Sequence, residues 1–160
     1  MAYSPQPHHF LNAVPCLDFA NTVVWRSEPA RREDRLRTGS DLALWAKTAK
    51  LPTPRLRINK ALELRETIDA YFRSRTRWPE LVARYADALA EPDARFSRAL
   101  LHSALELAFS QSAQRVKVCG NCGWLFLDRT RNGSKRWCIP DVCGSRTRSR
   151  RYYRRKTRSR

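Results

Sequence analysis

Four cysteines constrain this chain more than any other feature; they are spaced Cys119-x2-Cys122-x15-Cys138-x4-Cys143. Two thiolates two residues apart can grip one ion if the backbone between them turns tightly, and Gly120 and Gly123 permit that turn. A second pair brought back to the same place closes a tetrahedron of sulfur. Four protein ligands leave no open coordination position, so the expected cofactor is one structural Zn2+ per chain. The alternatives are four unrelated buried cysteines, which the paired spacing argues against, and two disulfides in a secreted chain. Against the latter, Met1 to Phe10 is polar and lacks the apolar stretch of a signal peptide. No apolar run approaches the roughly 18 residues that a membrane span needs. The expected location is therefore the cytoplasm, where grouped cysteines hold metal. Cys16, alone between Pro15 and Leu17, reads as a plain core thiol.

Charge divides the chain at about the point where the cysteines begin. The formal net charge is +17, a surplus that points to a polyanion as partner. Residues 1–114 carry 17 Lys/Arg against 13 Asp/Glu, whereas residues 115–160 carry 15 against 2. The front, 1–114, reads as an ordinary domain for sensing or dimerisation, and 115–160 as the cationic device.

Periodicity makes the front helical. Phe10 to Val24 is a buried block that reads equally as a short helix or an extended segment, and Arg26 to Ser40 reads as loop. Ser40 is placed to cap a helix over 41–50. Thr53-Pro54 is placed to start one over about 54–75, and Trp78-Pro79 another over about 79–90. Phe96, Leu100, Leu101, Ala104 and Leu107 predict a last helix over about 93–113. From Val116 the period shifts to two. Val116–Val118 and Trp124–Asp128 read as strands, and the Asn132-Gly133 turn with Lys135–Cys138 predicts a β-hairpin lying between the two cysteine pairs. The expected fold is mainly α: a small helical N-terminal domain followed by a zinc knuckle, a β-hairpin and an arginine-rich helix.

That last helix, from about Arg146, holds eight arginines and one lysine up to Arg160, with Tyr152 and Tyr153 among them. Guanidinium forks pair bidentately with phosphate and with the major-groove edge of guanine, so arginine in this excess favours nucleic acid over a lipid surface or an acidic protein. The expected contacts are Arg146, Arg148, Arg150, Arg151, Arg154 and Arg155, with Arg129, Arg131, Lys135 and Arg136 on the hairpin. DNA is the first expectation and places the protein with the nucleoid. RNA or the ribosome is the alternative, since exposed tyrosines and tryptophans also stack on unpaired bases.

These residues resemble a known family. Val118-Cys119-x2-Cys122-Gly123-Trp124-Leu125-Phe126-Leu127-Asp128, Arg131-Asn132-Gly133-x2-Arg136-Trp137-Cys138 and Cys143-Gly144-Ser145-Arg146 look like the CGNR zinc finger, with Ser145 where the signature has Asn. Cys16-Leu17-Asp18-Phe19-Ala20-Asn21-Thr22 and Ala61-Leu62-x-Leu64-Arg65-Glu66 resemble the helical ABATE domain that precedes this finger, although the chain is short between about 74 and 105. The resemblance implies a bacterial, stress-induced transcription regulator whose finger binds DNA. It implies no particular effector.

Two readings stay open for Asp18, Asn21, Arg26 and Arg65. They line a small-molecule pocket between helices, or they brace the fold, and in either case Arg65 is a candidate partner for Asp18. The chain shows no nucleophile–base set and no phosphate loop, so the expectation is a binding protein, not an enzyme, with a homodimer among its expected partners.

Overall fold

The protein is described from a computed structural model covering residues 3–158. Residues 1, 2, 159 and 160, which include Arg160 of the expected tail, and the side chain of Arg158 lie outside the described residues. The undecided block resolves into a 3-10 turn at Pro7–Phe10, a helix α1 (Pro15–Ala20) and a strand β1 (Val23–Val24). Pro15 costs α1 nothing in the first turn, where no hydrogen bond is made. Cys16 to Ala20 are all buried, and Asn21 ends the helix by donating its N–H to Leu17 O at 3.0 Å.

The stretch expected as loop contains a strand, β2 (Glu33–Asp34), paired antiparallel with β1 so that Val23 faces Asp34. An ion pair fixes it in place: Arg65, 2% exposed, forks onto the Asp34 carboxylate at 2.8 and 2.7 Å. Arg65 therefore does not pair with Asp18.

Helix α2 (Gly39–Thr48) begins two residues earlier than Ser40 predicts, because Thr38 and Asp41 form a reciprocal box. The Thr38 hydroxyl accepts from Asp41 N at 3.1 Å, and the Asp41 carboxylate accepts from Thr38 N at 2.9 Å. Helix α3 (Ile58–Ser74) starts later than Thr53-Pro54 predicts. Arg57, in extended conformation, is its N-cap. Trp78-Pro79 does open α4 (Trp78–Ala90). Helix α5 (Arg95–Phe109) stops short of 113 at Ser110, where the chain turns extended and enters a 3-10 turn at Gln111–Arg115.

Helices α1, α2, α3 and α5 enclose one core around Trp45, whose ring lies 5.0 Å from Phe19 and 6.4 Å from Phe96. Strands β3 (Val116–Val118) and β4 (Leu125–Leu127) pair antiparallel with Val116 opposite Leu127 and Val118 opposite Leu125. The hairpin is thus built around the first cysteine pair, not between the two pairs. Lys135–Cys138 forms no strand. Side chains do the work of a ladder there. The buried Asp128 carboxylate accepts from Lys135 N at 2.9 Å, Thr130 N at 3.0 Å and Lys117 Nζ at 2.8 Å, and Lys117 Nζ also reaches the Gly133 carbonyl. The ammonium of Lys117 holds the Asp128 carboxyl well below the usual carboxylate range.

Period two along β4 sends Leu125 into the helical core and Phe126 into a second core beneath the cysteines. The outer edge of β4 is closed by two buried amides. Asn21 accepts from Leu125 N and donates to Leu125 O, both at 2.8 Å, and Asn12 accepts from Leu127 N at 3.0 Å. Asp18 in turn positions Asn12, accepting from its backbone N at 3.1 Å and its Nδ2 at 2.9 Å, and burial pushes the Asp18 carboxyl up to about 6.

Asn21→Ala leaves a buried backbone donor and acceptor unpaired and should cost about 2–4 kcal/mol of unfolding free energy, read by urea titration of the zinc-loaded protein. Asn21→Asp keeps the acceptor but sets a buried carboxylate oxygen against the Leu125 carbonyl, and should cost at least as much at neutral pH and less as the pH falls and the acid protonates.

Candidate metal centre and nucleic-acid interface

The loop joining β3 to β4 is the knuckle. Cys119 N donates to Trp124 O at 2.7 Å and Gly123 N to Cys119 O at 3.0 Å, a turn tight enough to put Gly123 at φ +77, where a side chain would be strained. The knuckle is also docked on the helical body: Trp25 N donates to Cys122 O at 3.0 Å, and Arg73 Nη2 to Gly123 O at 3.0 Å. Cys138 returns alongside, with Gly120 N donating to Arg136 O at 3.4 Å. Cys143 lies in a π-helical turn, Pro140–Gly144, and its N donates to Ile139 O at 2.8 Å.

All four cysteines are buried and free of disulfides, and their sulfurs lie within 4.8 Å of one another. Cys138 Sγ is 3.6 Å from both Cys122 and Cys143. A tetrahedron with Zn–S bonds of about 2.3 Å has edges of roughly 3.8 Å, so the donor set fits zinc without rearrangement. Hydrogen bonds from Cys122 and Cys138 hold the Cys119 thiol low, and the hydrogen bond with Cys119 pushes Cys122 up. Bound zinc would be held by all four as thiolates and would join the knuckle, the Asp128 loop and the 140–144 turn at one point.

Helix α6 (Ser145–Arg158) continues directly from that turn, with Thr147 Oγ1 bonded to Cys143 O at 2.9 Å. Gly144 is closely packed, since an added Cβ would lie 3.3 Å from the Trp137 ring and push it by a few tenths of an ångström. The α6 segment holds no acidic residue, and Arg148, Arg151, Arg154 and Arg155 are exposed on it. Tyr152 and Tyr153 are exposed as well, their rings 5.5 Å apart. The other two expected contacts on α6, Arg146 and Arg150, are exposed as well but also meet other parts of the protein. Arg150 bonds Asn121 Oδ1 of the knuckle and stands 5.8 Å from the Trp25 ring, and Arg146 lines a cleft beside the metal centre. On the segment after β4, Arg131 and Arg136 are exposed, Arg129 donates to Asn12 O at 2.7 Å, and Lys135 lies over Phe126 at 5.8 Å.

Asp18, Asn21, Arg26 and Arg65 serve as braces. Arg26 pairs with Glu66 and with Asp69 at 3.3 Å, and Arg65 also reaches Glu66 at 3.0 Å, linking α3 to the β1–β2 hairpin. The partners Asn12, Asp34, Asp69 and Lys117 carried no sequence signal, because each meets its mate only after the chain has folded.

Residues 13–115 match the family model ABATE, described as "Putative stress-induced transcription regulator". The chain belongs to the ABATE family. Residues 115–156 match the CGNR zinc finger, with the four cysteines inside the match. No curated protein matches the chain. The two family matches meet at residue 115, just before β3, and together with the sulfur geometry they describe a zinc-binding regulator carrying a single structural zinc. No helix among the described residues is long and apolar enough to cross a membrane.

Purified protein should carry one zinc per chain by elemental analysis, and Cys138→Ser should carry none and lose its near-UV dichroism from Trp124 and Trp137. Because the ligands must be deprotonated, zinc affinity should fall as pH is lowered, with protons released on rebinding.

Proposed function

We propose that the protein is a DNA-binding transcription regulator in which zinc aims an arginine helix at the duplex. The observation that supports this most is the continuity of the last metal ligand with α6: Cys143 and Ser145 lie two residues apart, so the metal centre sets the direction of a helix that bears only positive charge. Exposed Arg148, Arg151, Arg154 and Arg155 supply the phosphate and base contacts, with Arg131 and Arg136 beside them. The helical body is the sensing or pairing half, and a homodimer would let two such helices read two half-sites. We read the protein as a binder and not a catalyst, working with the nucleoid in the cytoplasm. RNA is the second reading, favoured by the exposed Tyr152 and Tyr153, which are free to stack on unpaired bases.

Arg151, Arg154 and Arg155 changed together to Ala should weaken duplex binding by about 100-fold at moderate salt and flatten the slope of log K against log salt by about 2–3. Fluorescence anisotropy at several salt concentrations measures both. Removing zinc with a chelator should abolish binding although every arginine remains. Unchanged affinity in the triple variant sinks the assignment, and preference for a structured RNA over mixed duplex in competition moves it to the second reading.

A further inference from the structure

Helix α4 is apolar on two sides. Leu81 and Ala88 are buried against the helical body. At the helical period the opposite side carries Pro79, Val82, Ala83, Ala86, Leu89 and Ala90, and all six are exposed, Leu89 by 54%. The charged residues of the helix, Glu80, Arg84 and Asp87, share one flank between those two sides. The outer patch continues at the end of α5, where Phe109 is 79% exposed and its ring lies 5.4 Å from that of Trp78. A helix that is apolar all round packs on both sides, and apolar side chains gathered in one exposed patch mark an interface where scattered ones do not. Among the described residues nothing covers the outer side of α4.

Charge and shape select the partner. The chain carries +17, yet this side of α4 holds no cation, so it suits neither nucleic acid nor an anionic lipid surface. Its charges stand at the two ends with opposite signs. Exposed Arg75 and Arg77 precede the helix, Arg77 lying 3.1 Å from Glu80. Exposed Asp87 and Glu91 close it, while Arg98 beside them is engaged with the carbonyls of Ala88 and Glu91 at 3.1 and 2.9 Å. A second α4 laid antiparallel on the first therefore matches a basic end with an acidic end twice, whereas a parallel one would set like against like. The small Ala83 and Ala86 at the middle let two helix axes approach to about 8 Å. A two-fold axis there sets Val82 of each copy against Ala86 of the other. With 13 residues α4 is about 20 Å long, and two such faces with their rims bury roughly 1,000 Å2 in all. That is the lower end of specific interfaces and suits a reversible dimer.

We propose that two copies of the chain pair through the outer side of α4, antiparallel about a two-fold axis near Ala83 and Ala86. Its purpose, to hold two arginine helices at two half-sites, rests on the DNA-binding reading; the association itself does not.

Sedimentation velocity on zinc-loaded, nuclease-treated full-length protein tests the pairing from about 1 to 200 μM. The expected result is a reversible monomer–dimer equilibrium with a Kd of about 1–50 μM. Ala86→Glu and Leu89→Glu should each weaken it at least about tenfold, because each buries an unpaired carboxylate in the interface. Leu44→Glu, the same change at an exposed leucine of α2, should leave it unaltered. Circular dichroism and zinc content report that the variants are folded. Arg77→Glu and Glu91→Arg test the direction. Each alone sets like charges together at both ends and should weaken pairing several-fold, while an equimolar mixture should restore it, since every end contact in the mixed dimer is then between opposite charges. A monomer throughout the range overturns the proposal and leaves the face to a different protein. A dimer that Ala86→Glu and Leu89→Glu leave intact, or that Leu44→Glu breaks as readily, overturns it too. So does a mixture that pairs no more tightly than its two components. No nucleic acid is present, so a failure here leaves the arginine helix assignment standing, and the reverse holds for the triple arginine variant.

Discussion

The free edge of β4 is where the structure is joined. A two-stranded sheet leaves one row of backbone donors and acceptors open on each strand, and in the interior each open group costs about as much as a lost hydrogen bond. Asn12 and Asn21 fill the row on β4 with side-chain amides, acting as a substitute third strand. Because successive residues of β4 point to opposite faces, the same three residues then belong to two cores, Leu125 to the helical one and Phe126 to the one under the zinc. The helical body and the finger are therefore not beads on a linker. They share a strand, and what loosens one reaches the other through it.

The metal does the corresponding work on the far side of β4. Residues 129–143 are nearly devoid of regular structure, and their position comes from point attachments: Asp128 and Lys117 on the loop, and the sulfurs of Cys138 and Cys143 on the ion. A segment held in this way has little intrinsic preference for its shape, so zinc affinity and folding are one equilibrium here. The same logic explains why α6 can carry so many like charges. An isolated helix of this composition would repel itself, but its first turn is set by Cys143 and by the Gly144–Trp137 contact before the arginines begin.

Much of this was legible in the chain before any coordinates. The cysteine spacing gave the ligand set, the apolar stripes placed α4 and α5 to within a few residues, and the arginine excess located the cationic helix. Two of the misreadings share one cause. The Thr38–Asp41 box displaced Ser40, and the Asp128 cluster replaced a predicted strand. In each, a side chain took over a backbone role that propensity alone assigns to the main chain.

By itself the sequence determined what depends on neighbours close along the chain, Cys122 and Cys138, 16 positions apart, being the widest step: the four sulfurs, the helical periods, the tight turn at Gly123 and the sign of the charge on α6. Only the tertiary structure decided which side chains close the edge of β4, that Arg65 belongs to Asp34, and which apolar side of α4 the body covers. Asn21 and Leu125 are 104 residues apart, and no local pattern records such a pairing. It exists because packing brings the two together, and burial then makes an unpaired amide too costly to leave alone.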